Sequence, residues 1–262
     1  MMTSDFGRPA PETPQAGSPA VLHDVRAGVG RITLNRPAKR NAMTPEMFDL
    51  FNAAMQSHET DEAVRAILIL GEGAAFCAGG DLGMIDAANK GTVDAEALDL
   101  DFFQPGLITK PIICGISGAC VGEGVAIALA SDIVICGRSA RFALPEVALG
   151  IPPVDIPLLA ARRLGANHIL EALLTGDWKD SHWADKTGLV NEVVDDEAVI
   201  ATASALAQKV AGLPTSVVAL VKSLVYEARG CADPAALRTH GAARRSRLRE
   251  AATDGATPSQ GR

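Results

Sequence analysis

The sequence predicts an α/β fold, on three observations. Short apolar runs of β-like composition recur along the chain, at residues 21–25, 29–34, 66–70, 111–116 and 133–136. Segments with apolar residues at helical spacing separate them or follow them. Glycine-rich turns stand between several of these strands and the helices that come next. Strand–strand–helix and strand–helix units therefore repeat, without sequence self-similarity, and right-handed crossovers between them are expected.

Taken in order, residues 21–25 and 29–34 alternate around Gly28 and predict a hairpin. Thr44-Pro45-Glu46 is a helix start, with the hydroxyl as N-cap and proline in the first turn. Met47, Leu50, Phe51, Ala54 and Met55 then recur at helical spacing. Residues 66–70 form a buried strand ending at Gly71, and Asp81 is expected to cap a helix through Leu82, Met84 and Ile85. Residues 86–101 are polar and short of periodic apolar positions, the pattern of a helix or flap over a site. After the strand at 111–116, residues 124–131 are apolar all round, which predicts a buried helix. A strand at 133–136 and a short one at 141–144 lead to Glu146. Helices are expected at 158–164, 169–174 and 181–187, and a strand at 189–194 closes the core. Beyond Glu197 the pattern is helical, with breaks at Leu213-Pro214-Thr215 and near Gly230.

A chain of 262 residues exceeds the usual single-core size, yet no linker divides it. Aromatic residues make up only 4%, so Ala, Val, Leu and Ile must do the packing. The domain reading is a disordered leader at 1–19, rich in Pro, Ala, Ser and Gly, then a core at 20–195, a helical region at 196–255 and a disordered tail at 256–262. Five scattered cysteines have neither metal nor disulfide spacing, which fits reduced thiols and predicts no metal site and a cytoplasmic location. No apolar run is long enough for a membrane span, so no membrane association is expected. The net charge of −7 argues against a nucleic-acid partner, which would favour a basic surface.

Two glycine-rich stretches carry the functional signal: Ala75-Phe76-Cys77-Ala78-Gly79-Gly80-Asp81 and Gly118-Ala119-Cys120-Val121-Gly122-Glu123-Gly124. Turns of this kind leave N–H groups unclaimed at a helix N-terminus, where partial positive charge collects. Two of them converging on one point would stabilise negative charge on a carbonyl oxygen. With Ile32-Thr33-Leu34-Asn35-Arg36-Pro37, Asn41-Ala42, Leu144-Pro145-Glu146-Val147 and Leu174-Thr175-Gly176, these stretches resemble the enoyl-CoA hydratase/isomerase (crotonase) family over residues 21–225. The resemblance implies a spiral of ββα units and a C-terminal helical region that builds homotrimers, often paired into hexamers. It also implies an acyl-CoA substrate, with coenzyme A present only as part of that thioester and no permanently bound cofactor.

The resemblance places the two oxyanion donors at the backbone N–H of Gly80 and of Glu123. The second loop departs from the family's common Gly-Gly-Gly-x-Glu, because this chain reads Gly122-Glu123-Gly124-Val125-Ala126. A carboxylate beside a developing enolate would oppose it, so the Glu123 side chain is expected to point away or to be paired, with a catalytic part left open. Ala126 occupies the position of the first catalytic glutamate of two-glutamate hydratases, and alanine can neither hold water nor transfer a proton. Glu146 matches the second. A carboxyl in an apolar run should have its pKa raised by desolvation, which suits general acid/base work; a surface ion pair, for instance with Arg141, is the other reading. Asp155 is an auxiliary candidate in a turn where some relatives carry an acidic group, or else a helix N-cap. Arg36, Ala38 and Lys39 are expected at the nucleotide end of coenzyme A, and Ala78 and Asp81 along the adenine and pantetheine path. Met84, Ile85, Phe102, Phe103 and Leu107 could line an acyl pocket. The basic run Arg244-Arg245-Ser246-Arg247-Leu248-Arg249 is expected to be a solvated helix face or trimer contact.

With one carboxylate in place, the sequence leans toward double-bond isomerisation, which needs one base that collects and returns a proton. Hydration of a 2-enoyl thioester, or acyl-CoA binding without catalysis, are the alternatives. A rival of another class is a serine hydrolase, since Gly115-Ile116-Ser117-Gly118-Ala119 nearly spells a nucleophile elbow, with His168 or His182 as base.

Overall fold

The computed structural model describes residues 18–81, 83–84, 86, 90, 100 and 108–228. The leader through residue 17, most of residues 82–107 and the chain after residue 228 lie outside the described residues. So do Ile85, Phe102, Phe103, Leu107, the second helical break and the arginine run.

Among the described residues, ten strands form two sheets. The larger has the order β1-β2-β3-β5-β7-β10, built from β1 (Val21–Arg26), β2 (Val29–Leu34), β3 (Ala66–Gly71), β5 (Ile112–Ile116), β7 (Ile133–Gly137) and β10 (Glu192–Val194). Only the β1–β2 pair is antiparallel, as the predicted hairpin requires; the other pairs in this sheet are parallel. The smaller has the order β4-β6-β8-β9, from β4 (Ala75–Cys77), β6 (Ala119–Val121), β8 (Arg141–Ala143) and β9 (Lys179–Asp180). The strand expected at 189–194 starts only at Glu192.

Alternation along β3 divides the core between two faces. Ile67 and Ile69 point into the main cluster, with Phe48, Phe51 and Phe76. Ala66, Leu68 and Leu70 point the other way, onto Ala203, Ala207 and Ala211 of α6 (Val199–Ala211). Alanine at every fourth position of α6 lets that helix lie close against the sheet. The main cluster is closed by α1 (Pro45–Thr60), α2 (Glu123–Ala130), α3 (Asp155–Arg163), α4 (Ala166–Thr175) and α5 (Ser181–Thr187). Thr44 caps α1 by accepting Met47 N–H, and Lys110 Nζ donates to His58 O and Asp61 O at its far end.

The last described helix, α7 (Thr215–Ala228), is held by a polar clasp. Asp132 accepts Lys222 Nζ at 2.8 Å, Tyr226 OH at 2.7 Å and the Ile112 N–H at 2.7 Å. Along α7, Val217, Leu220, Val221, Leu224 and Val225 recur at helical spacing and are each more than half exposed.

Candidate active site

The site grows from the small sheet. β4, β6 and β8 run parallel, so their carboxyl ends lie side by side, with Cys77 opposite Cys120 and Val121 opposite Ala143. Each end opens into one of the singled-out segments: Ala78-Gly79-Gly80, Gly122-Glu123, and Leu144-Pro145-Glu146. Carboxyl ends of parallel strands are where open α/β sheets bind ligands. Three adjacent three-residue strands thus bring together residues more than sixty positions apart.

The contact between the loops is close. A methyl group added at Gly79 would lie 3.3 Å from Val121 O; one at Gly122 would lie 3.5 Å from Gly79 Cα and 2.6 Å from Glu146 Oε1. Gly122 also has φ +52°, ψ −111°, a backbone region that side chains rarely enter. Glycine at 122 is therefore required twice, by conformation and by the carboxylate packed against it.

The first loop is pinned from the opposite side. Met43 N–H donates to Gly79 O at 2.8 Å and Asp81 N–H to Met43 O at 2.7 Å, a parallel bridge between Met43 and Gly80. In that pattern Gly80's own N–H and C=O point away from Met43. Ala78 N–H donates to Arg40 O. Arg40 and Asn41 both have positive φ, at 51° and 56°. Asn41 is fully buried: its Nδ2 donates to Glu72 O, Ala75 O and Phe76 O, and its Oδ1 accepts Arg36 N–H. The sequence motif contained Asn41 without revealing this; a fully buried amide binding four backbone groups locks the 36–43 loop onto β4.

The second loop begins α2. Gly122 N–H donates to Ala143 O, and Ala126 N–H to Gly122 O, so Glu123 is the first helical residue. Its N–H has no acceptor within the helix, as for every first-turn amide. Its side chain is half-buried. Ala126 faces the main core with no exposed surface, which leaves no room there for a positioned water.

Glu146 sits against Gly122 with Oε2 shielded from solvent and without a hydrogen-bond partner among the described residues. Burial pushes its carboxyl up to about 7, opposed only by its own backbone N–H. The surface ion pair with Arg141 does not form. A carboxyl poised near neutrality against the junction of two glycine loops can both accept and return a proton.

Asp155 opens α3 as its first residue; the cap position is Val154, so the N-cap expectation is displaced by one residue. Arg36 Nη1 donates to Ala42 O and lies 3.6 Å from Asp81 Oδ2, so these two expected coenzyme contacts face each other and join the loops. Asp81 Oδ1 also accepts Gly83 N–H. Ala38 and Lys39 are exposed on a one-turn helix, Pro37–Lys39. Met84 packs on the main core. Ser117 leads from β5 into β6, another strand, so the strand-to-helix elbow of a serine hydrolase is absent.

The family model described as enoyl-CoA hydratase/isomerase matches residues 24–247. Among similar proteins, a 1,2-epoxyphenylacetyl-CoA isomerase of Escherichia coli is 33% identical over 79% of this chain and 82% of its own length. A probable enoyl-CoA hydratase of Mycobacterium tuberculosis is 35% identical over 83% of this chain and 84% of its own. The crystal structure of an enoyl-CoA hydratase from Mycobacterium paratuberculosis superposes with a TM-score of 0.78 at 29% identity, covering 90% of this chain and 99% of that one.

Proposed function

The chain belongs to the enoyl-CoA hydratase/isomerase family of acyl-CoA enzymes, and from that premise we propose that it moves a double bond by a one-base mechanism. The observation that carries this reading is the carboxyl of Glu146, one oxygen of which is shielded from solvent against Gly122, while position 126 holds a fully buried alanine. The thioester oxygen takes hydrogen bonds from the N–H groups of Gly80 and Glu123. Glu146 removes a proton from a carbon adjacent to the alkene, giving an enolate held by those donors. It then returns the proton at the far carbon, which converts a 3-enoyl into a 2-enoyl thioester without water. Asp155, at the start of α3, is the auxiliary acid of this reading. Lys39 is an exposed cation of the expected coenzyme loop, whereas Arg36 is engaged with Ala42 and Asp81.

The relatives named hydratases support 2-enoyl hydration as a second reading. One experiment separates the two: wild type and Glu146→Gln are each given 3-enoyl- and 2-enoyl-CoA, and the conjugated absorbance is followed as it appears or disappears. Isomerisation faster than hydration, with both suppressed in the variant, is expected. Fast hydration that survives the substitution would refute the one-base mechanism. We also assign the exposed apolar stripe of α7 to contacts between copies of the chain, as a trimer or hexamer, and the protein to the cytoplasm; sedimentation of wild type against Leu220→Glu tests the first.

A further inference from the structure

The far end of α2 carries a feature that the mechanism above does not use. The guanidinium of Arg163, the last residue of α3, donates to four acceptors among the described residues. Nη1 donates to Ala128 O at 3.1 Å and Ser131 O at 2.6 Å, both at the carboxyl end of α2. Nε donates to Gly188 O at 3.1 Å and Nη2 to Asn191 Oδ1 at 3.0 Å, in the connection from α5 to β10. Asn191 is itself fixed: Oδ1 accepts Val134 N–H at 2.9 Å and its own N–H donates to Val134 O at 2.8 Å, on a central strand of the large sheet. The path from β7 through Asn191 and Arg163 to the last carbonyls of α2 is thus continuous.

α2 has only eight residues, so about 12 Å separates this clamp from Glu123 at the other end. A helix that short and apolar has little cohesion of its own. Its packing in the core fixes it sideways, and what holds its two ends contributes to fixing it along its axis. The cation also lies at the negative pole of the helix, with its positive pole at the Glu123 N–H. We propose that Arg163 is a positioning residue, which through α2 sets the place and strength of the Glu123 N–H as an oxyanion donor.

This inference rests on the reading of Gly80 and Glu123 as the thioester's donors, and its test separates the two. The probe is a conjugated 2,4-dienoyl-CoA, whose absorbance moves to longer wavelength as its carbonyl is polarised. If binding to the wild type leaves that absorbance unmoved, the oxyanion reading itself fails. Where the wild type moves it, Arg163→Gln is expected to give a smaller displacement and a kcat about tenfold lower, with KM within about twofold. Full loss of one oxyanion donor typically costs ~10²–10³ in rate, and a misplaced donor should cost less. Arg163→Lys, which keeps the charge but not the fork, should fall between the two. A purely structural arginine would lower the thermal midpoint and leave both the absorbance displacement and kcat of the folded protein at wild-type values; that result overturns the proposal. If Arg163→Gln does not fold, the lysine variant decides alone: a wild-type displacement in it refutes the clamp.

Discussion

Replacing Glu146 by glutamine should make the protein more stable in alkaline solution and inactive at the same time. The carboxyl titrates near 4.5 when free and near 7 in the fold, because burial disfavours its charged form. Between those values the folded chain holds a proton that the unfolded chain releases. The raised pKa therefore contributes stability that is fully present below about 4.5 and is lost as pH rises through about 7. At about 1.4 kcal/mol per pH unit, the interval corresponds to about 3 kcal/mol. Glutamine has nearly the same shape and no charge to desolvate, so its stability should lack this decline. The measurement is urea unfolding of both proteins at pH 4 and pH 8. The variant should gain about 3 kcal/mol on the wild type between the two conditions, since titrations elsewhere cancel in the difference. In the same window, kcat/KM of the wild type should rise with a midpoint near 7 as the base form appears. Parallel stability curves for the two proteins would mean that Glu146 is solvated, and the argument from its burial would collapse.

Three further substitutions probe the neighbouring geometry. Gly122→Ala sets a methyl group 2.6 Å from Glu146 Oε1 at φ +52°, so it should cost about 1–3 kcal/mol of stability and lower kcat at least tenfold; unfolding and steady-state rates on the same preparation check both. Asn41→Ala strands three carbonyls and the Arg36 N–H, so a loss of about 2–4 kcal/mol is expected by urea titration, with weakened turnover because the first loop loses its anchor. Burial lowers the pKa of His58, whose Nδ1 has no partner among the described residues. Its neutral form is the folded one, so stability should fall as pH drops below 6.5, and His58→Leu should flatten that part of the acid-unfolding curve.

The hairpin, the long first helix and the buried α2 were legible in the sequence, because alternation, the Thr44-Pro45 cap and a continuous apolar run are local signals. Glu146 was legible as well, since a lone carboxyl between apolar neighbours demands an explanation. The small sheet was not fully legible. Its members β4 and β6 have three residues each, too short to display a period, and their glycine flanks read as turns. Their pairing is non-local, with Cys77 meeting Cys120 only once the chain has folded. Arg36 and Asp81 illustrate a different limit. Each reads as a surface charge available to a coenzyme, and only the folded distance of 3.6 Å reveals that they serve one another.

The three loops at the end of the small sheet divide their labour in a way that bears on how such a catalyst changes its chemistry. In the proposed mechanism two of them offer main-chain donors, and a main-chain amide survives almost any side-chain replacement. The carboxylates at 123 and 146, and the alanine at 126, are by contrast single-codon choices set around that constant centre. On that mechanism, one reaction can be exchanged for another by relocating one acidic group, while the main-chain donors stay in place. Steric room, rather than the electrostatic centre, then limits which exchanges are open. Position 126 is sealed within the core, so an acid cannot return there without repacking its surroundings. Position 123 is only half-buried, so a change of side chain there demands less repacking than at 126.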